Sequence, residues 1–175
     1  MHAVVRTDLM TGTDVCADLR SFKYMGAGTT PTDIDNGNVV KLTALAEGER
    51  EIWTAVTPAA NTPIKEIVLV ATPEVMYDER KKNLDEFYNE AKKACRGYVL
   101  HSKDIFSVTA EALTVPAPAS EDADPFEIEV GNIVELAANT KLHVVASATA
   151  STTTVGKIIA IDVVGTYTYY VIEVA

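Results

Sequence analysis

Apolar and polar positions along this chain alternate in short runs, and most runs have the two-residue period of a strand. Gly37-Asn38-Val39-Val40-Lys41-Leu42 sets a turn glycine ahead of β-branched residues. Glu51 to Thr57 alternates polar and apolar, with Ile52 and Ala55 one residue out of step, which predicts a bulge. Lys65 to Ala71 contains Ile67-Val68-Leu69-Val70 between Pro63 and Pro73 and reads as a buried strand, since proline cannot donate to a sheet ladder. Tyr98 to His101 and Asp104 to Thr109 read as strands paired around Ser102-Lys103. Gly131 to Leu136 and Lys141 to Ala146 form a hairpin across residues 137–140, and Val155 to Ala175 forms two strands joined at Gly165-Thr166. The Gly-x-strand unit recurs at Gly37, Gly131 and Gly156 at unequal intervals, so it is a turn-into-strand device and not a solenoid repeat.

Three segments depart from this rhythm. In residues 77–97, Leu84, Phe87, Tyr88 and Ala91 fall at i, i+3, i+4 and i+7, which predicts one short amphipathic helix. Residues 114–125, rich in Pro, Ala, Ser and acidic side chains, predict an exposed loop. Residues 1–30 show no helical period and read as an extended N-terminal arm, leaving 31–175 as a single β-rich domain. The expected fold is mainly β: a barrel or sandwich of short antiparallel strands with one short helix and that arm. Its expected core is Val39, Leu42, Ile67, Leu69, Leu100, Phe106, Ile133, Leu136, Ile159 and Ile161.

Composition narrows the function classes. A hydrophobic content of 47% excludes disorder throughout. The 25 acidic against 15 basic residues give a net charge of −10, which argues against an electrostatic nucleic-acid partner. No apolar run approaches the roughly 20 residues of a membrane-spanning helix, so no membrane partner is expected. The N-terminus lacks the apolar stretch of a signal peptide, so a cytoplasmic origin is expected. Cys16 and Cys95 then read as two small buried residues and not a bridge. His2, His101 and His143 are scattered without metal-ligand spacing.

Several constellations invite chemistry, and each has a plainer reading. His101, Ser102 and Asp104 are nearly consecutive on a hairpin, so they cannot converge as base, nucleophile and orienter. Asp33-Ile34-Asp35-Asn36-Gly37 opens like a calcium loop, but Asn38 and Ala44 stand where that loop needs Gly and Glu, so an Asx-rich turn is expected. Glu121, Asp122 and Asp124 could hold Ca²⁺ together with backbone carbonyls, against the plainer reading of a solvated acidic loop. Arg80-Lys81-Lys82, Lys92-Lys93 and Arg96 are interleaved with Asp78, Glu79, Asp85, Glu86 and Glu90, which cancel most of their field. Tyr167, Tyr169 and Tyr170 have no basic rim and read as core or interface packing. Gly26-Ala27-Gly28 lacks the third glycine of a phosphate loop. No catalytic residue, metal ligand or cofactor is expected.

The stretches Phe87-Tyr88-Asn89-Glu90, Ala94 to His101 and Asp104 to Thr109 resemble small virion proteins of tailed bacteriophages encoded close to the major capsid protein. Val130 to Leu136 and Val155 to Ala160 are similar to strands of phage capsid decoration, or cement, proteins. The resemblance spans about residues 31–113 and 128–175. It implies a non-enzymatic structural protein on the outer capsid surface, assembled in the bacterial cytoplasm. Its partners would be the major capsid protein and copies of itself, as in a trimer. Alternatives are a tail-tube, connector or head-completion protein, or a carbohydrate-binding module. In the arm, Val4, Val5, Leu9, Met10, Leu19, Phe22, Tyr24 and Met25 are the expected subunit-interface anchors, in a segment whose zero net charge avoids repulsion from an acidic partner.

Overall fold

The structure is a computed structural model that describes residues 1–10, 18–80, 83–118 and 124–175. It is mainly β, with 41% strand and 6% helical residues arranged around two sheets. The strands in chain order are β1 (Val5–Leu9), β2 (Leu19–Tyr24), β3 (Val39–Leu45), β4 (Ile52–Val56), β5 (Ile67–Val70) and β6 (Cys95–Val99). They continue with β7 (Ile105–Val108), β8 (Leu113–Thr114), β9 (Ile133–Leu136), β10 (Leu142–Val145), β11 (Thr154–Val164) and β12 (Tyr167–Val174). Strands β2-β4-β3-β5-β6 close into a small barrel, and β1-β7-β12-β11-β9-β10-β8 form an open sheet. All pairings are antiparallel except β2 with β4 and β8 with β10.

Side-chain alternation joins the two sheets. On β3, Val39 belongs to the core cluster under the open sheet and Val40 to the cluster inside the barrel. On β5, Ile67 and Leu69 face the first cluster, while Val68 and Val70 face the second. Pleating sends successive side chains to opposite faces, so a strand clamped between two cores has to be apolar throughout. That is why Ile67-Val68-Leu69-Val70 is an unbroken apolar run: all four residues are buried. Phe106, Leu136, Leu142, Ile158 and Ile172 complete the open-sheet core, and Phe22, Tyr24 and Ala55 fill the barrel.

The two expected hairpins form, β9 with β10 and β11 with β12. Gly37 and Gly131 hold φ of +82° and +98°, as turn glycines ahead of strands require. Gly156 is different. It lies inside β11, where a Cβ would strike the Glu173 carbonyl oxygen on β12.

Other expectations are corrected. Strands β6 and β7 do not pair; His101 to Asp104 is a turn that carries the chain from the barrel to the open sheet. Among the described residues no α-helix forms in 77–97, where the single helical feature is a 3-10 turn at Leu84–Glu86 capped reciprocally by Asn83 and Glu86. Long-range pairing displaces the helix. Asn89 exchanges backbone hydrogen bonds with Ile34, and Cys95–Val99 is drawn between β2 and β5. A short isolated helix is too marginal to compete with such pairing.

The N-terminal segment is likewise no free arm. Strand β1 pairs with β7, and β2 is a barrel strand between β4 and β6. Val4, Val5, Met10, Phe22 and Tyr24 are buried in the chain's own fold, and Leu19 and Met25 are half-buried. The side chain of Leu9 lies outside the described residues, as does the segment 11–17. Apolar anchors without helical period in residues 1–30 thus serve the molecule's own two sheets. Of the expected core, Val39, Ile67, Leu69, Leu100, Phe106 and Leu136 are buried, while Leu42, Ile133 and Ile159 are half-buried. Ile161 is exposed.

Phe106 is 1% exposed and packs under the open sheet. Phe106→Ala is expected to cost ~3–5 kcal/mol in denaturant unfolding; a loss under about 1 kcal/mol would place the ring outside the core.

Candidate functional site

The residues that suggested chemistry are occupied by structure. The His101 ring reaches Asp18, with Nε2 and Oδ1 2.8 Å apart. The buried Asp104 carboxylate accepts the His101 backbone N–H at 2.9 Å, and Ser102 is exposed. The three therefore share a turn without sharing a reaction centre. Cys95 sits in the barrel core, and burial pushes its thiol up to about 12, far from a reactive thiolate. Cys16, Glu121 and Asp122 lie outside the described residues, and Asp124 is exposed. In the basic stretch, Arg80 is paired with Asp78 and Lys93 with Glu90. Tyr169 is buried beneath Arg6, whose guanidinium stands 5.4 Å from the ring centre, and Tyr167 donates to Asp85. Among the described residues no three His, Cys, Asp or Glu side chains gather closely enough to hold a metal ion.

The Asx-rich run ahead of β3 is a fastening. The Asp33 carboxylate accepts the Ala91 N–H at 2.7 Å, and Asp35 Oδ1 lies 2.7 Å from His2 Nδ1. Asn36, 1% exposed, donates to the Thr72 carbonyl and the Glu74 carboxylate, and its own Oδ1 accepts from Thr72 N–H and Asn89 Nδ2. Asx side chains imitate backbone groups, so a run of them can satisfy several strand ends at once. This run pins the chain after β5 to the chain before β6. Between those two segments opens a cleft of about 570 Å³ with Tyr77, Phe87 and Tyr88 on its walls.

A second feature is the end of the β11–β12 hairpin. Strand β11 is paired with β9 only as far as Lys157, and β12 with β7 only from Tyr170. Beyond those points Asp162–Tyr169, Val163–Thr168 and Val164–Tyr167 pair, among the described residues, only with each other, so the hairpin runs past the sheet. Its register shifts between Ile158 and Ala160, which changes the face presented by Ile161. Ile161, Val163 and Val164 are 38%, 73% and 53% exposed. Ile161 stands opposite Tyr170, which borders a shallow groove with Leu113, Val115, Phe126, Glu127 and Ile128. Apolar side chains on an overhanging strand pair are unusual on a free surface, because they offer both a hydrophobic patch and an unpaired strand edge. Periodicity alone assigned Ile161 to the core; the alternation was legible in the sequence, but the point where neighbouring strands stop was not.

Two outcomes are expected here. In a Cys16→Ser variant at pH 8, Cys95 should react with a thiol reagent only when the chain is unfolded; modification of the native protein would contradict its burial. The second concerns Glu135, a buried carboxylate on β9. Burial opposes its ionisation, but hydrogen bonds from Thr149 and Thr152 outweigh that and hold its carboxyl below the usual range. A depressed carboxyl contributes stability above its unfolded pKa of about 4.3 and loses it as pH falls. The stability difference between wild type and Glu135→Gln should therefore shrink as pH is lowered from about 5 towards 3; a difference that does not change with pH would contradict the assignment.

No protein-family model, no curated protein and no solved structure matches the chain.

Proposed function

We propose that this protein is a non-enzymatic structural component of a tailed-phage virion that attaches to the outside of the capsid and strengthens contacts between shell subunits. The observation that carries the reading is the overhanging hairpin, with Ile161, Val163 and Val164 exposed on a strand pair that has no lateral neighbour among the described residues. Such a hairpin can lend a strand edge and an apolar tip to an adjacent subunit. Main-chain hydrogen bonds then give affinity and the side chains give register. The body behind it suits a clamp. Barrel strands β3 and β5 pack Val39, Ile67 and Leu69 into the core under the seven-stranded sheet, so force on the hairpin passes along β11 and β12 into that packed core.

The chain's charge supports an outer location. With a net charge of −10 it gains nothing from contact with packaged DNA, which repels acidic surfaces. The expected partner is the major capsid protein, and the expected residence is the capsid surface after assembly in the bacterial cytoplasm. The resemblance of Val130 to Leu136 and Val155 to Ala160 to decoration-protein strands supports the same reading: the first stretch enters β9, and the second opens the strand that becomes the overhang.

Co-sedimentation with purified capsid shells of the cognate phage tests it. Wild type should pellet with shells, and Val163→Asp/Val164→Asp should bind at least ~tenfold more weakly with an unchanged melting temperature, since both side chains face solvent. Equal binding by both proteins would remove the hairpin from the contact. Absence of wild-type binding, with assembly into rings or tubes in gel filtration, would replace the capsid assignment by a tail or connector role.

A further inference from the structure

The cleft between residues 72–78 and 87–94 plays no part in the capsid reading. Its volume of about 570 Å³ falls within the ~300–1,000 Å³ of small-ligand sites. Its two walls are tied to each other by buried side chains. Asn36 is hydrogen-bonded at 3.0 Å to Asn89, which lines the cleft, and Asn36 also ties down Thr72 at both its N–H and its carbonyl. The site is therefore preorganised and does not depend on ligand to form.

The aromatic groups are unusual in their support. One face of the Tyr88 ring is stacked on His2, centroids 4.9 Å apart, and His2 is in turn anchored on Asp35. Tyr88 is thus a braced platform on the wall formed by residues 87–94. On the facing wall Tyr77 is 94% exposed. A large aromatic ring left in water is an informative exception to burial. Both rings border the same cleft as Lys93. The Lys93 ammonium is held above its usual range by its hydrogen bond to Glu90, with smaller contributions from Tyr88 and Tyr77.

Charge decides the ligand class. Asp78 is met by Arg80 at 2.8 Å, and Glu90 by Lys93 at 2.7 Å, so among the described residues both carboxylates at the cleft are paired with a basic group. An anion would meet the two carboxylates, and a cation would meet the two basic groups. A neutral polyol suits both, because each hydroxyl donates to a carboxylate and accepts from an ammonium or guanidinium. Flat aromatic faces complement the C–H face of a pyranose ring, and the paired charges complement its equatorial hydroxyls. We propose that this cleft binds a neutral oligosaccharide, with Tyr77 and Tyr88 as stacking platforms and Asp78, Glu90 and Lys93 as hydroxyl partners. On a particle surface such a site would hold the virion to a saccharide-coated cell.

The test uses the full chain on an array of neutral hexasaccharides of glucose, galactose, mannose, rhamnose and N-acetylglucosamine, with sulfated and amino-sugar oligomers alongside. Titration calorimetry then follows on whichever hexasaccharide is retained. At least one neutral hexasaccharide should bind. Tyr77→Ala, a change on a fully solvated ring, should leave the melting temperature alone and weaken binding about tenfold or more. Tyr88→Phe should retain most of the affinity, and Val163→Asp/Val164→Asp should bind sugar as wild type does, which separates this site from capsid attachment. Retention of charged oligomers only, no retention at all, or affinity indifferent to Tyr77→Ala would overturn the proposal.

Discussion

The molecule depends on β5 and the first two residues of β3 being buried on both faces. Val39, Ile67 and Leu69 belong to one core and Val40, Val68 and Val70 to the other, although they alternate along the same two strands. Each such side chain contributes about 1.5–3 kcal/mol of burial, and neither sheet could keep its apolar face dry if the other were removed. The barrel and the open sheet are therefore one cooperative body. That body gives the surface features a rigid base: a projecting hairpin at one end of the open sheet, and a cleft beside the barrel strands β5 and β6.

The segment from Asp33 to Asn38 solves the problem that this shared wall creates. A strand entering between two cores brings backbone polar groups with it, and buried polar groups have to be satisfied. Gly37 donates its N–H to the Val70 carbonyl, and the Val70 N–H is taken by the Asn38 carbonyl. The side chains of Asp33 and Asn36 reach the strands' flanking segments, and Asp35 reaches His2. Residues that resemble a cation loop in sequence thus act as hydrogen-bonding staples, and the cleft exists because two of them hold its walls.

The hairpin follows a different physical rule. Sheet strands usually end together, or their edges are blunted by charge, proline or a bulge. Here β11 is longer than its neighbour β9, and the overhang carries isoleucine and valine with Asp162 as its acidic residue. Leaving such residues in water costs stability unless something covers them, which is why the overhang, and not the well-packed body, supports the assembly reading.

Much of the fold was legible from pattern. Strand period, turn glycines at 37 and 131, and the β9–β10 and β11–β12 hairpins follow from local chemistry, because alternation and positive-φ turns are encoded by near neighbours. The buried run at 67–70 was legible for the same reason. What tertiary structure alone decided is where local preferences were overruled or left open. Leu84, Phe87, Tyr88 and Ala91 have helical spacing, yet Ile34 claims the backbone of Asn89 from 55 residues away, and the helix gives way to a cleft wall. Residues 1–30 lack period because their strands join two different sheets, so no single alternation governs them. Ile161 alternates like a core residue but lies beyond the last residue of β9 that could cover it. Local sequence determines which way a side chain points along a strand; only the assembled sheet determines whether another strand is there to meet it.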